Sequence, residues 1–523
     1  MGRSFFWTLL LSTLPWMTLF WVLRILFDST SFIILLIVSL VIALVYQCHI
    51  YPVYTSPFRS LSTPQSRSYW LGNHSWPVRL IGRELPRLCT ESLGKHLVRY
   101  YTFFSVELIF VLSPEAISEL CLQKSGDFSH SGTIELLAEA GLGYSGLLAA
   151  RGQAHKGLRK LFSPVFTPGT LVTISHPLWE SCLAMVRQID QRTTTIQIGQ
   201  WTSRSVLELS GICVFGQERD WLARYPGFLE SLERRVATGQ IKKIVLSTFP
   251  RAIRSLLMLT LFGRKELADL RYVETVARDL AQLEKQKLLT AINPSPNNLI
   301  SVMLQDGALS DDQIVGHILI FLVGASATTS AAFQWMLLEL CRFPAVQSRL
   351  REELQSYGHV LSITGSSISA MESLPYLRAV VDELLRLHPT VVMTEHEATK
   401  DTTIMDTPVP KGTLLLCPPL ATNLNPQIWG EDASEFNPGR WLPEGTGGQN
   451  ARMQHPCANM TFSHGPRSCP GRSIARLMLT CLTAAFIRHY QVSLDDPEQA
   501  YVPTEAVYAK PMPDIAVRLV KVT

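Results

Sequence analysis

The sequence lacks the cysteine spacing of a disulfide framework or a zinc ribbon. Its 10 cysteines are scattered along 523 residues, and none of them forms a CxxC pair. This distribution is typical of a protein body that faces a reducing compartment. A long basic run is also missing, because 47 Lys and Arg stand against 43 Asp and Glu, for a net charge of +4. The sequence therefore predicts no nucleic-acid partner.

Charge is absent from two stretches near the N-terminus. Phe5–Leu23 and Phe32–Cys48 are uncharged over about nineteen and about seventeen residues, each close to the length of a membrane-spanning helix. No small-residue cleavage site follows the first stretch, which argues against a signal peptide. Residues 1–50 are thus predicted to form a membrane anchor of one or two transmembrane helices. Arginines before and after the anchor place the body in the cytosol, and two buried core helices are the alternative.

The region after the anchor is predicted to hold one large domain. Residues 51–69 are rich in Pro and Ser and are predicted to form a linker. From residue 70 to residue 523 helical patterns dominate, and no repeat or second linker interrupts them. Three strand-like pieces, at 107–113, 412–418 and 490–494, add small β-sheets to a mainly α fold.

The longest predicted helix, Asp311–Cys341, carries few large side chains at its centre. Asp311 or Asp312 is expected to cap it, and no proline occurs before Pro344. At 1.5 Å per residue its roughly thirty residues reach about 45 Å, enough to cross a domain. Its middle, VGASATTSAA (323–332), consists mostly of small and hydroxyl residues, so we expect something bulky to lie against it.

One cysteine has surroundings that suit a metal-binding thiolate. The segment FSHGPRSCPG (462–471) places Cys469 directly before Pro470, a favoured first residue of a helix, whose dipole stabilises a thiolate. Gly465 permits a tight turn, and Gly471 leaves room for a flat macrocycle. Arg467 is suited to pair with a carboxylate of such a ligand.

This segment resembles the haem-binding signature FxxGxRxCxG of the cytochrome P450 superfamily, with Phe462, Gly465, Arg467, Cys469 and Gly471 at the matching positions. The resemblance covers the chain from about residue 70 to its end. It implies the cytochrome P450 fold, preceded by the N-terminal transmembrane anchor. It also implies haem b (iron protoporphyrin IX) as cofactor and Cys469 as the iron ligand.

Two further signatures of the family occur in the expected order. ELLR holds Glu383 and Arg386 three residues apart on one helical face, and FNPGRW, which is similar to the FxPxRW box, adds Arg440. The resemblance implies that these three side chains form a buried triad that holds the fold around the haem.

Two histidines occupy places at which the family contacts the haem propionates. HKGLR puts His155 and Arg159 on one helical face, where the family has a Trp or His followed by an Arg. His396 stands where the family commonly has a propionate-binding arginine. The resemblance therefore implies contacts from all three residues, with the one at His396 weakened or redirected.

The centre of the long helix departs most from the family. The family typically shows (A/G)-G-x-(D/E)-T-T, and the matching stretch reads GASATT (324–329). Thr328 keeps the hydroxyl that passes protons during oxygen activation, whereas Ala327 replaces the acid. Protons would come through Thr328, Ser326, ordered water or a substrate hydroxyl. The alternative is that Ala327 is merely a tolerated variation.

The resemblance also indicates which residues would meet the substrate. The side chains expected to line the substrate pocket are Phe321, Val323, Ala325, Val391 and Val392. The segment 241–265 mixes Lys and Arg with bulky apolar residues. It either dips into the lipid bilayer or forms an ordinary amphipathic helix.

The resemblance implies a haem-thiolate monooxygenase that inserts one oxygen atom of O₂ into an apolar small molecule. Electrons would come from NADPH through NADPH–cytochrome P450 reductase. The anchor, HxxxR and FNPGRW look most like microsomal fungal enzymes of secondary metabolism. This implies the endoplasmic reticulum membrane, a catalytic domain facing the cytosol, and a terpenoid or polyketide substrate. Two other interpretations remain open: a haem-thiolate isomerase or dehydratase that acts without O₂, and a non-catalytic membrane haem protein.

Overall fold

The computed structural model describes residues 34, 37–39, 41–42, 45–64, 72–73, 84–101, 105, 107–189, 195–237, 264–290, 298–357, 374–443, 455–504 and 508–522. Within these residues the α-helices are α1 (Leu85–Glu91), α2 (Pro114–Ser118), α3 (Gly132–Leu142), α4 (Gly146–Ala149), α5 (Gly152–Phe162), α6 (Pro168–Arg187), α7 (Ile198–Phe215), α8 (Phe228–Ala237), α9 (Arg264–Thr290), α10 (Leu299–Asp306), α11 (Asp311–Arg342), α12 (Pro344–Ser356), α13 (Pro375–Leu387), α14 (Leu420–Asn423), α15 (Pro426–Trp429) and α16 (Arg472–His489).

The strands are short, as the sequence predicts. They are β1 (Leu97–Tyr101), β2 (Glu107–Val111), β3 (Phe128–His130), β4 (Thr195–Gln197), β5 (Thr394–Ala398), β6 (Thr402–Ile404), β7 (Thr407–Val409), β8 (Leu414–Cys417), β9 (Tyr490–Leu494), β10 (Val502–Pro503), β11 (Pro511–Met512) and β12 (Ala516–Lys521). The predicted strand pieces appear as β2, β8 and β9. The prediction of a mainly α fold with small sheets is confirmed.

The largest sheet joins parts of the chain that lie far apart in sequence. Its strand order is β1-β2-β8-β5-β3, and β2 pairs with β8 in parallel while the other pairs are antiparallel. A second sheet has the order β4-β12-β9, and β6–β7 and β10–β11 form two-stranded pairs. The pairing of β3 with β5 places the first half of the chain beside the second.

Helix α11 is the centre of the helical core. It packs chiefly on α7 and also on α9 and α16, and its side chains belong to the largest hydrophobic cluster. Its cap is Ser310, which forms a capping box with Gln313, so the prediction of Asp311 or Asp312 as cap is wrong. Among the described residues, α11 is the helix long and apolar enough to cross a membrane, but most of it is buried inside the protein.

The N-terminal part of the chain falls into two portions. Phe5–Leu23 lies outside the described residues. Within the second apolar stretch the described residues are helical, and large side chains there are exposed, including Ile34, Ile42 and, further on, Tyr54. The membrane anchor stays a prediction. The segment 241–265 lies outside the described residues except for its last two.

The segment predicted as a linker packs on the largest sheet over residues 51–64. Ser56 and Phe58 are buried, and the Ser56 hydroxyl donates to the Glu107 carboxylate (2.8 Å). Arg99 of β1 donates to the Pro52 carbonyl (2.9 Å) and pairs with Glu107 (3.2 Å). Buried polar contacts therefore join this part of the chain to the body, and its role as a linker stays a prediction.

Candidate functional site

The loop that carries Cys469 is held by its own backbone. The Cys469 N–H donates to the Phe462 carbonyl (2.9 Å), and the Ser468 N–H donates to the Gly465 carbonyl (3.0 Å). Helix α16 follows at once, but it begins at Arg472, so the predicted start at Pro470 is two residues early. The sulfur nevertheless lies at the N-terminal end of a helix, as the sequence predicts.

The Cys469 thiol opens into an interior space. Its side chain is exposed, yet burial among protein atoms raises the pKa of the thiol. The backbone N–H groups of Gly471 and Arg472 and the charge of Arg159 act in the opposite direction and favour the thiolate. A methyl group at Gly471 would lie 4.0 Å from both the sulfur and the Phe166 ring. Exposure combined with desolvation marks a cavity wall rather than an outer surface.

Three histidines gather around Arg467. His130 and His396 are register partners on β3 and β5, with ring centroids 6.0 Å apart, and His155 comes from α5. Burial lowers the pKa of His130 and His155 to about 4 and that of His396 to about 3, and the charge of Arg467 adds to each shift. Burial also lowers the pKa of Arg467 to about 10. At pH 7 the histidines are therefore neutral and Arg467 is charged.

Two nitrogens of this cluster have no hydrogen-bond partner within the part of the chain that the structure describes. They are Arg467 Nη1 and His396 Nε2, and both are buried. A buried donor without a partner costs about 1–3 kcal/mol, and more when it is charged. Glu397, a carboxylate on the same strand as His396, pairs with Arg151 instead (3.5 Å). The cluster is suited to an anionic ligand.

Arg159 braces the cysteine loop. Its Nη1 donates to the carbonyl of Ser468 (2.8 Å), the residue that precedes Cys469. The spacing of four residues on α5 brings Arg159 to the Ser468 carbonyl and His155 close enough to Arg467 of the same loop to feel its charge. The contact of Arg159 is to backbone, and its predicted bond to a propionate stays a prediction.

Helix α11 presents an open face near the thiol. Gly324 is exposed, and a Cβ built on it would meet no atom within 4 Å. Phe321, Ala325 and Thr328 are partly buried and share this face by helical spacing. The Phe321 ring stacks on Phe166, whose ring lies beside the cysteine loop (centroids 6.1 Å apart). The Phe166 ring therefore connects the open face of α11, through Phe321, with the loop that carries Cys469.

The two hydroxyl residues singled out on α11 lie on different faces. The Thr328 hydroxyl donates to the Gly324 carbonyl (2.8 Å) and is on the open face. Ser326 is buried, and its hydroxyl donates to the Leu322 carbonyl (2.6 Å). Two residues apart on a helix, their side chains diverge by roughly 200°. The structure does not bring Ser326 to the open space.

The remaining predicted pocket residues have mixed positions. Val323 is buried in the cluster around α11, and Val392 is buried in a separate cluster beside the largest sheet. Val391 forms an isolated bridge with Tyr508. Lining of a substrate pocket by these residues stays a prediction.

The three triad side chains are buried together. Glu383 accepts hydrogen bonds from Arg386 (2.8 and 2.9 Å), from Arg440 (2.9 Å), from the Trp441 indole (2.8 Å) and from the Asn437 backbone (3.0 Å). Both arginines also donate to main-chain carbonyls of the segment 423–435. The network joins α13 to the loops that precede the cysteine loop.

Comparison with known proteins decides the family. A family model for cytochrome P450 matches residues 64–515 of the chain. The chain belongs to the cytochrome P450 family. The cytochrome P450 monooxygenase sphH of Aspergillus fumigatus is 30% identical over 490 residues, covering 90% of this chain and 89% of the relative. FSL4 of Gibberella zeae is 29% identical (87% and 86% covered), and ptmK of Penicillium ochrochloron is 28% identical (91% and 96% covered).

This cytochrome P450 is accordingly an oxidoreductase of the monooxygenase type, and haem iron is the cofactor of its family. The residues present fit that cofactor. Haem of this class takes a cysteine thiolate on iron, and Cys469 offers its sulfur to the interior space. The buried unpaired nitrogens of Arg467 and His396 are placed to receive carboxylates.

Sequence reasoning missed two residues of this cytochrome P450 site. His130 reaches the cluster because β3 pairs with β5, and local sequence does not predict the pairing of two strands so far apart in the chain. Phe166 reaches the cysteine loop from a single 3-10 turn after α5. Neither residue belongs to a motif, so only the folded arrangement reveals it.

Proposed function

We propose that this cytochrome P450 holds haem b through the Cys469 thiolate and inserts one oxygen atom of O₂ into an apolar small molecule. The observation that carries the proposal is the exposed Cys469 thiol, whose loop contacts Phe166, the ring that stacks on Phe321 of the small-residue helix α11. An accessible thiolate near a helix of small residues suits a flat macrocycle with a substrate beside it.

The surrounding residues would hold the cofactor by charge and hydrogen bonds. Arg467 and His396 would receive its carboxylates, which would satisfy two buried nitrogens at once. Arg159 keeps the loop carbonyl of Ser468 in place. When bound, the haem supplies oxygen activation, to which the thiolate contributes electron density.

Thr328 is the proposed proton-transfer residue on the open face of α11. Its hydroxyl donates a hydrogen bond to the Gly324 carbonyl, which leaves the lone pairs of the hydroxyl oxygen able to accept one. Ala327 offers no proton, so water or a substrate hydroxyl would be the source. We assign no such part to Ser326, because its side chain is buried on another face.

The substrate is proposed to be a secondary metabolite, such as a terpenoid or polyketide, in a biosynthetic pathway. Aromatic and small apolar side chains, Phe166, Phe321 and Ala325, support an apolar substrate. That the relatives are fungal monooxygenases supports the type of enzyme.

Electrons are proposed to come from NADPH through NADPH–cytochrome P450 reductase, at the endoplasmic reticulum membrane, with the catalytic domain in the cytosol. The exposed apolar side chains of the helical residues between 34 and 54 support a lipid partner, because such a row is disfavoured in water. The bond between Ser56 and Glu107 would then keep the catalytic body close to the bilayer.

The reduced carbon monoxide spectrum tests the cofactor assignment. Wild-type protein should give the thiolate-type band, and Cys469→Ala should lose it because no thiolate reaches the iron. Cys89→Ala changes a partly buried cysteine of α1 and should keep the band. Absence of the band from wild-type protein would overturn the proposal.

Turnover in microsomes separates this function from the two alternatives. Product formation should require both NADPH and O₂. Turnover that proceeds without NADPH and without O₂ would instead indicate an isomerase or dehydratase. If apolar candidate substrates shift the haem spin state, the protein is not a non-catalytic haem carrier, since a carrier has no reason to bind them beside the iron.

A further inference from the structure

His317 of α11 is a buried histidine with one unsatisfied ring nitrogen. Its side chain is 0% exposed, and Nδ1 lies 2.8 Å from the Gln313 carbonyl. A carbonyl can only accept, so Nδ1 carries the proton and Nε2 presents a lone pair. Burial lowers the pKa of His317, which keeps the ring neutral at pH 7. Nε2 has no partner among the residues that the structure describes.

His317 is aligned with the open face of α11. It precedes Gly324 by seven residues, nearly two helical turns, so the two positions face the same way at about 10 Å along the axis. The Phe162 ring lies against both His317 (5.0 Å) and Phe321 (5.1 Å). An aromatic wall therefore runs from the cysteine loop to His317.

A short segment covers Nε2. The Tyr144 ring meets His317 edge-on (5.0 Å), and a methyl group at Gly146 would lie only 3.0 Å from Nε2. Gly143 and Gly152, on either side of α4, both have positive φ, at +75° and +54°. Glycine is the residue that changes backbone conformation at least cost, so rotation at Gly143 and Gly152 is the change that would open access to Nε2.

We propose that His317 recognises a hydroxyl group of the substrate, which donates a hydrogen bond to Nε2 at the end remote from the oxygenated carbon. This rests on the proposed function and specifies its substrate as a lipophile that already carries an alcohol and reaches along α11 to His317, about 10 Å from Gly324. A ketone, ether or carboxylate offers only lone pairs to Nε2 and is disfavoured. Only a donor satisfies the buried nitrogen.

The test compares 1-alkanols of eight to sixteen carbons with their methyl ethers as ligands of the full-length, haem-loaded protein. Affinity is titrated from the change of haem spin state. Wild type should bind at least one alkanol about tenfold more tightly than its ether, which corresponds to about 1.4 kcal/mol. His317→Phe, which keeps a ring but has no acceptor, should lose this preference, and His317→Gln, whose amide can accept, should keep part of it.

His489→Phe is the matched control, because His489 makes the same bond to the carbonyl four residues earlier (2.8 Å) on α16. It should retain the preference. Equal affinities for every alkanol and ether, no binding by any alkanol, or an undiminished preference in His317→Phe would each overturn the inference. The reduced carbon monoxide band is recorded for each protein, so that failure of the haem-thiolate assignment is recognised separately from failure of hydroxyl recognition.

Discussion

Gly465 shows how one missing side chain determines the position of the cysteine loop. Its φ is +75°, and an added Cβ would lie 2.0 Å from the Cys121 carbonyl oxygen. Because this neighbour is backbone, no side-chain rotation relieves the clash. The loop and the π-helical segment Glu119–Gln123 can approach this closely only at a glycine.

We expect Gly465→Ala to lower the free energy of unfolding by at least about 2 kcal/mol. The cost of a left-handed backbone at alanine adds to the cost of its Cβ clash. The haem-thiolate band should weaken in parallel. Gly157→Ala in α5 is the control, because a Cβ there meets no atom within 4 Å. Thermal unfolding and the reduced carbon monoxide spectrum measure both effects, and an unchanged Gly465→Ala protein would contradict the close approach.

Glu383 is the shared acceptor of the buried triad. Both it and Arg386 are fully buried, and Arg440 is 3% exposed. We expect Glu383→Gln to cost about 3–5 kcal/mol, because it removes the charge that compensates two buried guanidinium groups. Chemical denaturation measures the loss.

Glu91→Gln is the matched control for Glu383→Gln. Glu91 pairs with Arg87 (2.8 Å) on the exposed side of α1, and such pairs are worth about 1 kcal/mol or less. Similar losses in the two variants would show that the triad is no more important than a surface ion pair.

At the scale of elements, the start of α11 depends on a residue just outside the predicted helix. Ser310 accepts from the Gln313 N–H (3.3 Å), and the Gln313 side chain accepts from the Ser310 N–H (2.9 Å). This reciprocal pair satisfies two backbone donors, which the carboxylates of Asp311 and Asp312 do not reach in the structure.

Ser310→Ala should therefore lower the free energy of unfolding by about 1 kcal/mol. Asp311→Asn keeps the cap and should change stability less. The midpoints of denaturant unfolding compare the stability of the two variants, provided that the dependence of the unfolding free energy on denaturant concentration is the same. A larger loss of stability in Asp311→Asn than in Ser310→Ala would show that Asp311 is the cap, as the sequence predicts.

The pairing of β3 with β5 is the element-scale event that completes the basic cluster. It places His130 opposite His396, and both rings then share the surroundings of Arg467. A slip of one residue in this register would turn either histidine to the other face of the sheet. The cluster is thus a property of the sheet rather than of either strand.

At the scale of the whole molecule, the proposed haem is expected to be part of the stability of the fold. Without an anionic ligand, the buried nitrogens of Arg467 and His396 have no partner among the described residues. A ligand at 1,000 times its dissociation constant stabilises the folded state by about 4 kcal/mol. Haem extraction should therefore lower the thermal unfolding midpoint.

The difference in thermal unfolding midpoint between haem-loaded and haem-extracted protein should be smaller in Arg467→Ala, because that variant binds the haem carboxylates more weakly. Arg518→Ala removes a surface partner of Asp495 and should behave like wild type. Calorimetry of the paired samples measures the midpoints. Equal midpoints for loaded and extracted wild type would mean that the cluster does not bind the cofactor.

The sequence by itself determined the parts whose chemistry lies in consecutive residues. The cysteine loop, the small-residue centre of α11 and the short strands β2, β8 and β9 follow from turn residues and local apolar patterns. The spacing of Glu383 and Arg386 likewise predicts a pair on one helical face. These features depend on backbone geometry over a few residues, which local sequence encodes.

Only the tertiary structure decided which distant residues meet. His130 joins His396 through strand pairing, Phe166 meets the cysteine loop through packing, and His317 lies beneath a segment that contains Tyr144. Ser56, within the predicted linker, likewise meets Glu107 of the largest sheet. Such contacts depend on register and on the burial of whole surfaces, and these are set when separate segments pack together.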